Sequence, residues 1–300
     1  LRPHLAKLPA VEVLNILRLG VVEIVGLGAP AHAVVNDLVS ICGSTGQTRP
    51  YKGLINAVLR KAVADVSGKW DKSPVQMMPK WLRNPLREAY GNGTIMAIET
   101  AHMRGAQVDL TVIADPQIWA ETLGGSVLPN GSVRLNEMRQ ISALSGFEDG
   151  KWWVQDAAAS WPASWLALQA GETVLDVCAA PGGKTMQMAL AGAEVTSLDI
   201  SAKRMERVKE NLARTKLEAD LVVDNILEWQ DARQFDAVLL DAPCSATGTI
   251  RRHPDLPFAK DGTGITELIR LQAEMLAAAA RRVKPGGRLV FCTCSLIPDE

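Results

Sequence analysis

Asp176-Val177-Cys178-Ala179-Ala180-Pro181-Gly182-Gly183-Lys184-Thr185 closes a short apolar segment, Thr173–Val177, and leads into a helix. A strand that passes into a helix through paired glycines is the first turn of a parallel α/β sheet. In such sheets ligands collect at the carboxyl ends of the strands. Gly182 and Gly183 carry no side chain to block a ligand, and the helix they open presents free N–H groups. Outward from this turn, strands are expected at Glu194–Asp199, Leu221–Asp224, Ala237–Asp241 and Arg288–Cys294. Helical stretches separate them, notably Lys203–Lys216 and Ile265–Val283. Apolar strands alternating with helices specify a parallel sheet covered on both faces. The alternation begins at Lys151, and the sequence stops at Glu300 just after the fifth strand, so further strands of the sheet are expected beyond it.

Gly183-Lys184-Thr185 also raises a nucleotide-triphosphate P-loop. That motif needs a glycine five positions before Gly183, where this chain has Cys178. Asp199, at the end of the second strand, can accept both hydroxyls of an adenosine ribose. Asp224 ends the third strand and can receive an adenine amino group. One aspartate at a strand end is commonly a helix cap; acids on consecutive strand ends favour a binding site.

Strand four runs into Asp241-Ala242-Pro243-Cys244-Ser245 and strand five into Phe291-Cys292-Thr293-Cys294-Ser295. Two strands therefore deliver thiols to the edge where a cofactor would lie. Cysteine is often only a small core residue, a reading that suits Cys42 and Cys292. Cys244 follows a proline in a loop and Cys294 stands at a strand terminus, so both suit chemistry better.

The chain has 300 residues, 47% hydrophobic, enough for two or three domains. Residues 1–70 hold eight Lys/Arg against four Asp/Glu, although the whole chain carries a net charge of only −1. A basic N-terminal part ahead of a near-neutral body fits contact with phosphates. That part, 1–67, reads as all-helical, with apolar positions at helical spacing in Val11, Leu14, Leu17, Leu19 and Val22 and again in Leu54, Ile55, Val58 and Leu59. A linker is expected at 68–80, and residues 81–150 should mix short helices with strands such as Val108–Ile113. The sequence opens on Leu1 rather than Met, so a preceding segment is expected. Glu12, Arg18 and Glu23 interrupt its most apolar early stretch, which excludes a membrane span there. Five cysteines without a disulfide or zinc spacing and four scattered histidines imply a reduced, cytoplasmic compartment and no metal.

With these residues assembled, residues 151–300 resemble the catalytic domain of bacterial RNA cytosine-carbon-5 methyltransferases, a class I Rossmann-like methyltransferase family. The resemblance rests on Gln155-Asp156, the run Asp176–Thr185, Asp199 with Arg204, Asp224, Asp241-Ala242-Pro243-Cys244-Ser245 and Thr293-Cys294-Ser295. Tyr51-Lys52-Gly53-Leu54-Ile55-Asn56-Ala57-Val58-Leu59-Arg60 resembles the last helix of a NusB-type RNA-binding domain, which is fused to members that methylate small-subunit ribosomal RNA. Pro79-Lys80-Trp81-Leu82 resembles the entry to their middle domain. The implied architecture is a Rossmann-like sheet at 151–300, preceded by an all-α NusB-like domain at 1–67 and a linker and small α+β RNA-binding domain at 68–150.

The resemblance implies S-adenosylmethionine as cofactor, RNA as partner and a monomer without membrane or metal. Cys178, Ala179, Ala180, Pro181, Gly182, Gly183, Lys184, Asp199, Arg204, Asp224 and Asp241 would contact the cofactor. Cys294 would be the nucleophile and Cys244 would assist proton removal, with Lys184 and Asp241 touching the base. The chemistry explains the thiol: carbon 5 of cytosine attacks a methyl sulfonium only after a thiolate adds at carbon 6. Two positions depart from the family: Thr111-Val112-Ile113 stands where Arg-Val-Asn is frequent, and Cys292 replaces a non-cysteine residue. Arg251-Arg252-His253 and Arg281-Arg282-Val283-Lys284 are candidate RNA-steering groups. Two other readings stand beside this one. Cys244 could be the nucleophile, as the cysteine of Pro-Cys is in DNA cytosine methyltransferases. The chain could also be a non-catalytic RNA-binding scaffold.

Overall fold

The structure is a computed structural model that describes residues 1–66, 70 and 74–300. It divides into two compact units, Leu1–Val75 and Gln76–Glu300. Part of the linker expected at 68–80 lies outside the described residues.

The first unit packs helices α1 (Val11–Val21), α2 (Ala31–Gly43) and α3 (Lys52–Val66). Its core takes Val13 and Leu17 from α1, Val34, Val35, Leu38 and Cys42 from α2, and Ile55, Val58 and Leu59 from α3. The buried face of α1 is thus Val13, Leu17 and Gly20. The stripe expected from the apolar spacing is rotated from it, since Val11, Leu19 and Val22 are 60%, 46% and 42% exposed. Gly20 explains the rotation: a Cβ there would stand 2.7 Å from Leu38 and 2.8 Å from Leu59, so a residue without a side chain lets the helices close. Cys42 is a core residue, its thiol donating to the Thr48 carbonyl at 2.9 Å.

The second unit opens with α4 (Lys80–Met103), broken at Gly91, where φ is 79°. Short helices are expected here, and the non-helical Gly91 divides the segment into two of them. Leu82 and Leu86 before the break and Ile95 after it are buried in one cluster with Ile250 and Ile297. The Val108–Ile113 expectation becomes β1 (Asp109–Val112), which joins β2 (Gly125–Val127), β3 (Val133–Leu135) and β4 (Trp152–Val154) in an antiparallel sheet of order β2-β3-β1-β4. Helix α5 (Pro116–Leu123) packs on it through Ala120 and Leu123.

After α6 (Ala157–Trp165) come β5 (Thr173–Val177), α7 (Gly183–Leu190), β6 (Glu194–Asp199), α8 (Ala202–Thr215), β7 (Asp220–Val223) and β8 (Phe235–Asp241). Helices α9 (Leu256–Ala259) and α10 (Ile265–Ala280) and strand β9 (Val283–Cys292) complete the chain. The five strands are all parallel, in the order β7-β6-β5-β8-β9. This is the Rossmann-like sheet expected for 151–300. Alternate residues serve opposite faces: Leu175, Val177, Val238 and Leu240 meet α10, while Val174, Ala237 and Leu239 meet Ala163 of α6 and Met188 of α7.

Five strand ends of the parallel sheet differ from expectation, two of them small early starts, at Asp220 for β7 and at Phe235 for β8. β7 stops at Val223, one residue before Asp224. β9 starts at Val283, which pairs with Phe235; the register then shifts, Lys284-Pro285-Gly286-Gly287 bulges out, and regular pairing with β8 resumes at Arg288, where the strand is expected to begin. It ends at Cys292, since the Cys294 carbonyl accepts from Gly248 N and leaves the ladder. No helix among the described residues is long and apolar enough to cross a membrane.

The α8 residue Arg214 ties the antiparallel sheet to the parallel one, donating to the carbonyls of Phe147 (2.8 Å) and Trp152 (3.0 Å). Gly150, at φ +67°, presses against the Arg214 backbone, and any Cβ there would overlap its carbonyl. Gly150→Ala should therefore lower unfolding free energy by at least about 2 kcal/mol, read as a fall in the urea midpoint.

Candidate active site

The turn after β5 is shaped by the second strand's acid. Asp199 Oδ2 accepts from Ala180 N at 3.2 Å and Oδ1 from Ser201 N at 3.0 Å. Arg204 lies 3.4 Å from the same carboxylate and donates to the Ala180 carbonyl at 2.6 Å. Gly182 has φ +98°, and its missing Cβ would press on Val208 at 3.1 Å. The free edge of this turn opens on a cavity of about 370 Å³ lined by Cys178, Ala180, Asp199, Arg204, Asp224, Asp241, Cys244 and Cys294 among others. Ile200, Ile226, Leu227 and Pro243 supply an apolar sleeve.

The remaining residues expected at the cofactor fall elsewhere. Ala179, Pro181, Gly183 and Lys184 line a second cavity of about 310 Å³ on the other side of the turn, which Cys178, Ala180 and Asp241 also border. Gly182 lines neither. A nucleoside fits the first cavity: its volume lies in the usual range of small-molecule sites, roughly 300–1,000 Å³, and an apolar slot ends in carboxylates. A carboxylate offers about four acceptor sites, and with Ala180 N, Ser201 N and Arg204 on its oxygens Asp199 keeps about one for a ligand hydroxyl. Three carboxylates against one guanidinium also suit a cationic ligand.

The two thiols expected at the edge meet. Cys244 Sγ lies 3.4 Å from Cys294 Sγ. A hydrogen bond from Cys244 lowers the Cys294 pKa below that of an ordinary thiol, against the pull of burial. The same bond, then burial, raises Cys244. Cys292 is pushed up to about 12 by burial and then by the charge of Asp241, whose Oδ1 lies 3.6 Å away. Burial, with the nearby acids, drives Cys178 up to about 12 as well. Among these thiols Cys294 is the exposed one and the one held toward thiolate.

Beside them, Lys184 Nζ contacts Asp241 Oδ2 at 2.7 Å. Burial opposes the lysine's charge, but the Asp241 carboxylate outweighs it and raises the pKa. Gln155 braces the far side of the turn: it accepts from Thr111 (2.7 Å) and Trp153 (3.0 Å) and donates to Gln187 (2.7 Å).

Three residues that sequence reasoning passed over shape this site. Glu300 accepts from Ser245 N at 2.7 Å and from Ser295 Oγ at 2.6 Å, so one carboxylate holds the residues following both cysteines. No sequence signal marks it. Gly248 donates to the Cys294 carbonyl at 2.9 Å, and a Cβ there would come within 2.8 Å of that oxygen; a glycine four residues past Cys244 was the available hint. Asp176 is fully buried, its pKa raised to about 7 by desolvation, with Oδ2 accepting from Thr185 at 2.6 Å and Oδ1 unpaired among the described residues.

Comparisons with known proteins bear on the family of the chain. A family described as 16S rRNA methyltransferase RsmB/F matches residues 163–300, and the NusB family matches residues 4–64. Ribosomal RNA small subunit methyltransferase B of Pasteurella multocida is 35% identical over 309 residues, covering 95% of this chain and 68% of that protein. The chain belongs to the RsmB/F methyltransferase family. The like-named protein of Shigella boydii is 37% identical, covering 100% of this chain and 73% of its own length. A methyltransferase homolog of Pyrococcus horikoshii superposes with a TM-score of 0.61 at 27% identity, over 72% of this chain and 73% of its own. RsmB/F membership makes the chain an S-adenosylmethionine-dependent methyltransferase.

Two outcomes follow from the site's electrostatics. Alkylation of Cys294 by iodoacetamide should titrate below an ordinary thiol, and Cys244→Ala should move its midpoint upward; mass spectrometry across a pH series reads both. For Asp176 the folded pKa, about 7, exceeds the unfolded value. Its contribution to stability is full below the unfolded pKa, near 3.9, and is lost as pH rises through about 7. Asp176→Asn should flatten that fall in urea midpoints taken at mildly acidic and alkaline pH.

Proposed function

We propose that the chain transfers the methyl group of S-adenosylmethionine to carbon 5 of a cytosine in small-subunit ribosomal RNA through a covalent bond to Cys294. The observation that carries this reading is the pair of sulfurs 3.4 Å apart in the wall of the nucleoside-shaped cavity. The relatives' role in small-subunit ribosomal RNA methylation supports the choice of substrate.

Asp199 takes a ribose hydroxyl and Asp224 the adenine amino group, with the backbone of Cys178–Ala180 closing one side. The cofactor supplies an electrophilic methyl group on a positive sulfur. The Cys294 thiolate adds to carbon 6 of the cytosine as the Lys184–Asp241 pair delivers a proton to ring nitrogen 3, leaving carbon 5 nucleophilic. Carbon 5 is then placed to accept the methyl group that the bound cofactor would supply, the displaced electron pair remaining with the cofactor's sulfur. Cys244 gives up its own thiol proton to solvent once Cys294 is bonded to carbon, and the thiolate so formed then removes the carbon-5 proton. The C–H electrons rebuild the ring double bond, nitrogen 3 returns its proton and the Cys294 thiolate departs. The base reaches the edge flipped out of a single-stranded or loop region. The helical N-terminal unit serves as an RNA-binding module. The protein works as a monomer in the cytoplasm, where ribosomal RNA lies, and needs no metal.

Cys244→Ala should accumulate a covalent RNA–protein adduct that resists denaturing electrophoresis, and Cys294→Ala should form none. Both should bind S-adenosylmethionine in calorimetry. An adduct that survives in Cys294→Ala would transfer the nucleophile to Cys244, and no binding heat in the parent protein would leave only a scaffold.

A further inference from the structure

Apart from the two cavities of the reaction site, a third opening of about 480 Å³ is lined by Ala101, Arg104, Gln107, Arg134 and Arg251. Its charged lining is entirely guanidinium. Two of the three arginines are held in place. Arg134 forks onto the buried carboxylate of Asp109 at 2.7 and 2.8 Å, which uses up that acid. Arg251 sets Nε and Nη2 on the Gly105 carbonyl at 3.0 and 2.9 Å. Burial, then the charge of Arg251, holds the neighbouring His102 below its ordinary pKa, so the imidazole adds no acid to the cluster. Guanidinium groups gathered round one opening repel one another until an anion with several acceptor oxygens sits among them, and phosphate matches their planar donors.

The position of this opening indicates whose phosphate it is. A smaller cavity of about 150 Å³ shares Gln107, Arg134 and Arg251 with it and adds Arg252, along with two acids, Asp109 held by Arg134 and Asp156 at 4.0 Å from Arg252. Arg252 also lines the cavity that holds Lys184 and Asp241. One short segment therefore carries Gly248, bonded to the Cys294 carbonyl, then Arg251 in the cationic opening, then Arg252 facing the reaction site. A free metabolite gains nothing from such continuity, whereas a polynucleotide spans it.

We propose that Arg104, Arg134 and Arg251 form a site for one backbone phosphodiester of the RNA strand beside the target nucleotide. The site positions the strand and reads no base. This rests on RNA being the substrate.

The test is filter binding of an unmodified 16S ribosomal RNA transcript across a potassium chloride series, with the parent protein, Arg104→Gln, Arg251→Gln and the double variant. Arg134 is left intact because its loss would strand Asp109. Each glutamine should weaken binding and make the slope of log affinity against log salt less negative by about 0.7. Arg251→Lys should keep the slope and lose affinity, because it retains the charge without the fork. Calorimetric affinity for S-adenosylmethionine should stay at the parent value, which certifies the fold. A correctly folded double variant with the parent's slope overturns the proposal. Failure of the catalytic reading would appear elsewhere, as a missing adduct in Cys244→Ala with all three arginines intact.

Discussion

The parallel register of the sheet is the constraint on which the site depends. Val177 stands beside Leu198 on one flank and Leu240 on the other, and Asp241 beside Cys292. Strands aligned in one direction must release their chains at one edge. The turn after β5, the acids Asp199 and Asp224 and both cysteine loops are therefore neighbours in space although they span more than a third of the sequence. The order β7-β6-β5-β8-β9 then reverses the direction of chain progress at β5, where the connections part and a crevice opens.

Within that crevice polar groups do structural and chemical duty together. Asp199 builds the turn that it also lines. The Glu300 carboxylate, 8% exposed, ties Ser245 to Ser295 and so brings two loops from adjacent strands into register at their sulfurs. A carboxylate so enclosed costs desolvation unless its oxygens are filled, and here two donors from the cysteine loops fill them, with Gln272 at 3.3 Å from one oxygen. Sulfur placement thus follows from satisfying a buried charge.

Much of this was legible in the residues. The bounds of Thr173–Val177 and Glu194–Asp199 follow from short apolar runs, the first leading into the glycine turn and the second closed by an acid, and the structure has those same ends. The pairing of Cys244 with Cys294 follows from two strand-end motifs once the strands are parallel. What stayed hidden depends on contacts between distant segments. The two halves of α4 bury Leu82, Leu86 and Ile95 with Ile250 and Ile297, which no local pattern connects to Leu82. The early start of β9 at Val283 depends on pairing with Phe235 across a bulge, a contact that local sequence does not announce. The role of Glu300 is invisible because a lone glutamate on a loop looks like solvated surface. The division of the expected cofactor residues between two cavities reflects side-chain direction along a tight turn, which spacing alone does not encode.

The closeness of the two sulfurs also imposes an order of events. Negative charge on both at such a separation is costly, so the pair carries a single anion at a time, and its protonation belongs to the couple more than to either residue. While residue 294 is free it holds that anion, and its partner stays protonated as the donor. Once sulfur 294 is committed to a carbon bond it bears no charge, and the penalty against ionising residue 244 disappears. The base of the proposed reaction is thereby withheld until the step that requires it, a timing device made of two atoms and one shared proton.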